Sequence, residues 1–143
     1  GGVWDRKDID RMLALGASGV QIGTRFITTD ECDADIRYKE FHLHAKPDDV
    51  VLVSSPVGLP GRALRNAFAE KVIADSPDLE KRCLFNCLHA CKCRDEQQHY
   101  CIVQALDKAA RGDIENGLIF SGSNAGRAQH MMTVAALMAE LVV

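Results

Sequence analysis

At 143 residues the chain has the length of one domain and can bury a proper core. A net charge of -3, with 26% charged residues and no basic stripe, argues against a nucleic-acid or anionic-membrane surface. The longest apolar stretch, 131–143, is interrupted by Glu140 and is too short to span a bilayer, and no secretion signal is visible, so a cytoplasmic protein is expected, without nucleic acid or membrane as partner.

The chain opens with GGVWDRKDIDRMLALGASGVQIGTRF. Gly1 and Gly2 lack Cβ atoms and can take positive φ against a ligand. Asp5 reads as the N-cap of a helix with apolar positions Ile9, Met12, Leu13 and Leu15, ending at Gly16. Residues 19–22 read as a short buried strand, broken at its carboxyl end by Gly23 and Thr24. Two glycine turns flanking a helix can cradle a phosphate on backbone N–H groups without any lysine. Tight packing alone can also demand them.

In the next segment, 28–46, Thr29 or Asp30 can cap a helix with a partial apolar face of Ile36, Tyr38, Phe41 and Leu43, which Pro47 stops, and His42 and His44 face apart as surface or partly buried rings. Residues 50–53 are the clearest strand outside the opening. They lead into a loop with two prolines and two glycines, and Arg62 to Phe68 starts a helix. Arg62 and Arg65 suit a phosphate or a carboxylate, and structural ion pairing is the alternative. The region from Asp95 to Arg111 is helical by pattern, with Tyr100, Val103, Leu106 and Ala110 on one side and Gly112 as its C′ residue. A short apolar run, 118–120, precedes the polar turn SGSNAG, which opens a last helix over 127–143 that is apolar on several sides.

Cys83, Cys87, Cys91, Cys93 and Cys101 crowd one segment, and Cys32 stands apart. On a helix, Cys83, Cys87 and Cys91 would share a face. The spacing fits no standard zinc or ferredoxin run, so no metal ligand is assigned; buried reduced thiols, a metal or iron–sulfur site and a redox disulfide remain open. Neighbouring Lys81, Arg82, Lys92 and Arg94 would lower thiol pKa values.

The wording GGVxDxxDIxxMLALGASGVQIGTRF, the segment PGRALRNAF and the run GLIFSGSNAG resemble the nitronate monooxygenase family of FMN-dependent TIM barrels, which includes flavin-dependent enoyl-ACP reductases. The resemblance covers nearly the whole chain and implies an α/β fold: the C-terminal portion of a (β/α)8 barrel, units 7 and 8 plus the last helix, with a mostly helical inserted small domain. The expected division is 1–28 for the end of the FMN-binding barrel, 29–116 for the insertion, and 117–143 for the return strand, loop and final helix. Six further βα units are then expected upstream. FMN phosphate would sit on Gly1, Gly2, Gly23 and Thr24 with Gln21 beside it, and Glu31, Tyr38 and Lys39 match recurring family positions. The implied activity is oxidation of alkyl nitronates with O2, with the histidine base upstream, so this chain alone is expected to turn nothing over and no catalytic residue is named. The alternatives are an NAD(P)H-dependent enoyl-ACP reductase, an inosine-monophosphate dehydrogenase-like barrel, which lacks the inserted segment, and a non-enzymatic metal-binding or interaction domain. The reading is compatible with a homodimer.

Overall fold

The computed structural model describes residues 2–95 and 99–142. Helix α1 (Arg6–Ala14) starts at Asp5, whose carboxylate accepts from the Asp8 amide at 3.0 Å, and gives out at Leu15 before Gly16 with φ 94°. Its apolar side is only partly covered, with Ile9 and Met12 half-buried and Leu13 exposed. None of its residues is buried, and Leu15 just past its end is 77% exposed. Residues 19–22 belong to no ladder among the described residues, contrary to expectation. A strand exists through its neighbours' hydrogen bonds, and none of the described strands pairs with this run.

Helix α2 (Thr24–Ile27) follows Gly23 at once. Thr29 then bridges to Met132, and the Asp30 amide donates to Met132 O at 3.0 Å, which takes both residues out of the capping role expected for them. Helix α3 (Ile36–Leu43) is capped by Asp35 instead. The Arg37 guanidinium and amide both bond that carboxylate, and the pair holds the Asp35 carboxyl down to about 2.

Strand β1 (Val50–Val53) lies where expected and pairs antiparallel with β2 (Gly61–Leu64), Val50 opposite Leu64 and Val53 opposite Gly61. Residues 61–64 were expected to begin a helix. Their backbone is claimed by two neighbours instead: β1 on one side, and on the other the run 119–121, where Leu64 N donates to Ile119 O at 2.8 Å and Ser121 N to Arg62 O at 3.0 Å. Helix α4 (Ala67–Ile73) therefore starts only after Asn66. That side chain caps the helix through the Ala69 amide at 2.8 Å, while its Nδ2 donates to Ile114 O at 2.6 Å and Gly117 O at 2.8 Å. Asn66→Ala removes a cap and two carbonyl partners together, and a loss of about 2 kcal/mol is expected in denaturant unfolding.

No helix forms over 83–91. The backbone turns left-handed at Asn86, φ 49°, and among the described residues only α5 (Lys92–Asp95) is helical before the next long element. Helix α6 (Ile102–Ala110) buries Ala105 and Ala109, whereas Val103, Leu106 and Ala110 face outward, so the expected apolar face is rotated. Residues 96–98 of that expected helix lie outside the described residues. Gly112 takes φ 87° after the helix, as its C′ role requires. Helix α7 (Val134–Val142) begins later than 127, because the Thr133 hydroxyl accepts from Ala136 N and the Glu31 carboxylate from Val134 N. It buries Leu137 and Leu141 and leaves Met138 exposed.

The core has two parts on either side of the hairpin. Val53, Ala63, Ala69, Val72, Leu79, Tyr100, Ala105 and Leu118 form one, and Leu64, Ala109, Ile119 and Ala125 the other. Among the described residues no helix is long and apolar enough to cross a membrane.

Candidate functional site

The glycine turn at Gly23 is the focus of the arrangement. Gly23 has φ -118° and supplies no side-chain cap, and a Cβ built on it would meet nothing within 4 Å. The amides of Gly23, Thr24 and Arg25 donate no hydrogen bond to the described residues, as expected for the first turn of a helix without a capping side chain. Across from them the loop after Phe120 closes in: Gly122 N donates to Thr24 Oγ1 at 2.7 Å. Only glycine permits that approach, since a Cβ at 122 would lie 2.8 Å from the same oxygen. Phe120 in turn rests on Gly61, where a Cβ would come 2.4 Å from the ring.

These contacts make an open, largely apolar wall of Gly23, Thr24, Ile27, Gly61, Arg62, Phe120 and Ser121. The Arg62 side chain is exposed and makes no hydrogen bond or ion pair with the described residues, while Arg65 pairs with Glu70. Of the two arginines, Arg62 is thus the one placed to meet an anion, and Arg65 is a structural partner.

Of the expected site residues, the structure brings Gly23 and Thr24 together on this wall. Gly2 takes φ 78° in open space just before Trp4, and Gln21 is exposed and makes no hydrogen bond to the wall among the described residues. Gly1 lies outside the described residues. The three family-like residues beyond α2 all have structural partners: Glu31 accepts from Val134 N at 2.8 Å, the buried Lys39 donates to Thr29 O at 2.9 Å and Asp30 O at 3.2 Å, and Tyr38 packs on His42. Burial raises the Tyr38 hydroxyl to about 12.

What ties the turns together is a node centred on Trp4. Arg25 and Arg127 both place their guanidinium over the indole, at 5.2 and 5.4 Å from its centroid. Arg25 also donates to Trp4 O at 2.9 Å and pairs with Glu140; Arg127 pairs with Asp5 at 2.7 Å and Asp8 at 3.4 Å. The start of the chain, α2, the loop after Phe120 and α7 meet here, around a hollow of about 470 Å³ that includes Thr28, His130 and Met132. Of these residues the sequence singled out Asp5 alone, and as a helix cap; Trp4, Arg25, Arg127 and Glu140 were not named as site residues. The lone tryptophan two positions after Gly2 was the available signal.

His42 supports the wall from behind. It is 1% exposed, with Nδ1 3.0 Å from Tyr38 O and Nε2 3.3 Å from Phe120 O. A neutral ring donates to one of those carbonyls only. Burial pushes its pKa below the ordinary 6.5, against the opposing pull of the two carbonyls. The unfolded chain therefore binds this proton first. Stability is full above about pH 6.5 and falls as pH drops through that value towards the lower folded pKa, by at most about 1.4 kcal/mol per pH unit for one proton. Urea unfolding at several pH values is expected to show this loss in the parent and a flatter profile in His42→Gln.

The fold defined by these elements fits part of a TIM barrel. FabK from Thermotoga maritima, a TIM-barrel protein, superposes with a TM-score of 0.78 and 29% identity, covering 99% of this chain and 41% of FabK. The chain belongs to the nitronate monooxygenase family, an oxidoreductase family whose model matches residues 1–143. It is similar to a probable nitronate monooxygenase of Staphylococcus saprophyticus, 38% identical over 72 residues, which cover 50% of this chain and 20% of the relative. A carboxyl-CoA dehydrogenase of Mycobacterium tuberculosis is 34% identical over 76 residues, 53% of this chain and 21% of the relative. The match thus spans about a fifth of the length of these curated relatives.

Proposed function

We propose that this chain supplies the phosphate-holding end of the flavin site in an FMN-dependent oxidoreductase, and that the whole protein oxidises alkyl nitronates with O2. The observation that carries the reading is the open turn at Gly23, whose amides remain undonated while Gly122 N fastens the opposite loop to Thr24 Oγ1 at 2.7 Å. Such a turn fits an anionic group, because it offers N–H donors without a side chain in the way. On this reading Gly1, Gly2, Gly23 and Thr24 hold the phosphate and Gln21 lies beside it, with the exposed Arg62 guanidinium adding charge complementarity. Bound FMN supplies the redox chemistry. The residues here bind and orient it, and Phe120 and Ile27 keep water from one side of the wall. The same reading divides the chain into barrel end (1–28), insertion (29–116) and return segment (117–143).

A second reading takes the whole protein as an NAD(P)H-dependent flavin reductase of enoyl thioesters. The similarity to a carboxyl-CoA dehydrogenase favours it, since that relative acts on a CoA thioester. Assays on the full-length protein separate the two. Oxygen uptake with propane 2-nitronate in the absence of reduced nicotinamide supports the first. Turnover only with NADH or NADPH plus an enoyl thioester replaces it with the second, and a protein that binds no flavin overturns both.

A further inference from the structure

The cysteine-rich segment takes no part in that reading. Its middle and its far end are pinned to the loop between β1 and β2, where Lys92 N donates to Pro56 O at 3.0 Å and Tyr100 Oη to Ser54 O at 3.0 Å. Within this frame Cys91 and Cys93, each 2% exposed, stand with their sulfurs 3.1 Å apart. Cys83 is half-buried, interacts with Cys93 as well, and its Sγ accepts from the Asn86 amide at 3.2 Å. Three thiols therefore converge, one within reach of solvent and two sealed from it. Cys87 is exposed and Cys101 buried, and neither sulfur is hydrogen-bonded to this group among the described residues. No group of three or more His, Cys, Asp or Glu side chains among the described residues is arranged to hold a metal ion, so the convergence points to sulfur–sulfur chemistry.

We propose that Cys83, Cys91 and Cys93 form a thiol–disulfide exchange site that takes a small-molecule disulfide as its oxidant and closes a bridge between Cys83 and Cys93. Cys83 is the entry point, being the sulfur of the three within reach of solvent. Its thiolate attacks one sulfur of the disulfide RSSR. That S–S bond breaks, RS⁻ leaves and takes up a proton, and a mixed disulfide Cys83–S–SR forms. Cys93 then gives its proton to solvent and attacks the Cys83 sulfur, breaking the mixed bond and releasing a second RS⁻, which is protonated. Two protein thiols are oxidised and one RSSR is reduced to two RSH, so protons and electrons balance. Burial keeps the Cys93 thiol above its ordinary pKa, which leaves it inert to reagents in bulk and reactive only towards a sulfur delivered beside it. Cys91, in contact with Cys93, keeps that sulfur in position.

The test uses the full-length protein, freed of metal with EDTA, incubated with oxidised glutathione, then unfolded in guanidinium chloride, alkylated with iodoacetamide and digested with trypsin. Two of the chain's six cysteines are expected to escape alkylation, and the peptides 83–92 and 93–94, otherwise separated at Lys92, to stay linked until reduced. Cys83→Ser is expected to abolish the link and Cys91→Ser to retain it. The proposal is overturned if all six remain alkylated after glutathione, if the link survives Cys83→Ser, or if the same thiols are protected before EDTA and released by it.

Discussion

Placing aspartate at position 23 is expected to strip flavin from the full-length protein while leaving its fold intact. Gly23 has a negative φ that any residue adopts, and a Cβ there meets nothing within 4 Å, so Gly23→Asp introduces neither strain nor clash. Aspartate is also a better N-cap than glycine, and its carboxylate would occupy the first amides of α2. Those are the donors assigned to the FMN phosphate. The substitution therefore removes the donors and sets like charge against a phosphate, a juxtaposition that costs several kcal/mol. At 1.4 kcal/mol per tenfold, FMN affinity is expected to fall by at least about 100-fold. Thermal stability without flavin, measured in parallel, is expected to hold or rise. A variant that binds FMN as tightly as the parent would move the phosphate away from this turn.

Gly117→Ala is expected to be the most damaging small change in the hairpin core, at about 3 kcal/mol in denaturant unfolding, the upper part of the range for overpacking. A Cβ at 117 would lie 2.4 Å from Ala109 N, 2.6 Å from its Cα and 2.7 Å from its Cβ. Those are atoms of α6, whose Ala109 is fully buried. Residue 117 has no room to retreat: its carbonyl is held by Asn66 Nδ2, and Leu118 N donates to Ala105 O at 2.8 Å. A cost below about 0.5 kcal/mol, the range of ordinary surface changes, would mean that α6 does not pack on this strand.

Local signals told most where the cause was local. Asp5 as a cap, Gly16 and Gly112 in the left-handed region, and β1 as an apolar run are each decided within a few residues, and each is found. Misreadings arose where distant partners decide. Arg62 to Arg65 reads as helix, yet two flanking strand-like runs, one more than fifty residues later in the chain, hold residues 61–64 extended. The helical spacing of Cys83, Cys87 and Cys91 had no cap and met a left-handed Asn86. At the candidate site, the glycine turn was legible as wording, and Thr24 was named with it. Its partner Gly122 and the node of Trp4, Arg25, Arg127 and Glu140 were not, because hydrogen bonds and ring contacts across more than ninety residues leave no period in a sequence. The apolar side of α1 shows the opposite case: it was read as amphipathic, yet none of its residues is buried, Ile9 and Met12 being only half-covered and Leu13 exposed.

The account turns on whether the Gly23 turn holds a phosphate. The direct measurement is the affinity of the full-length apoprotein for FMN against riboflavin, which differ in that phosphate alone, in the parent and in Gly23→Asp. A strong preference for FMN in the parent that collapses in the variant, with riboflavin affinity little changed, is the predicted result. Equal affinities in the parent, or a preference untouched by the aspartate, would contradict the assignment.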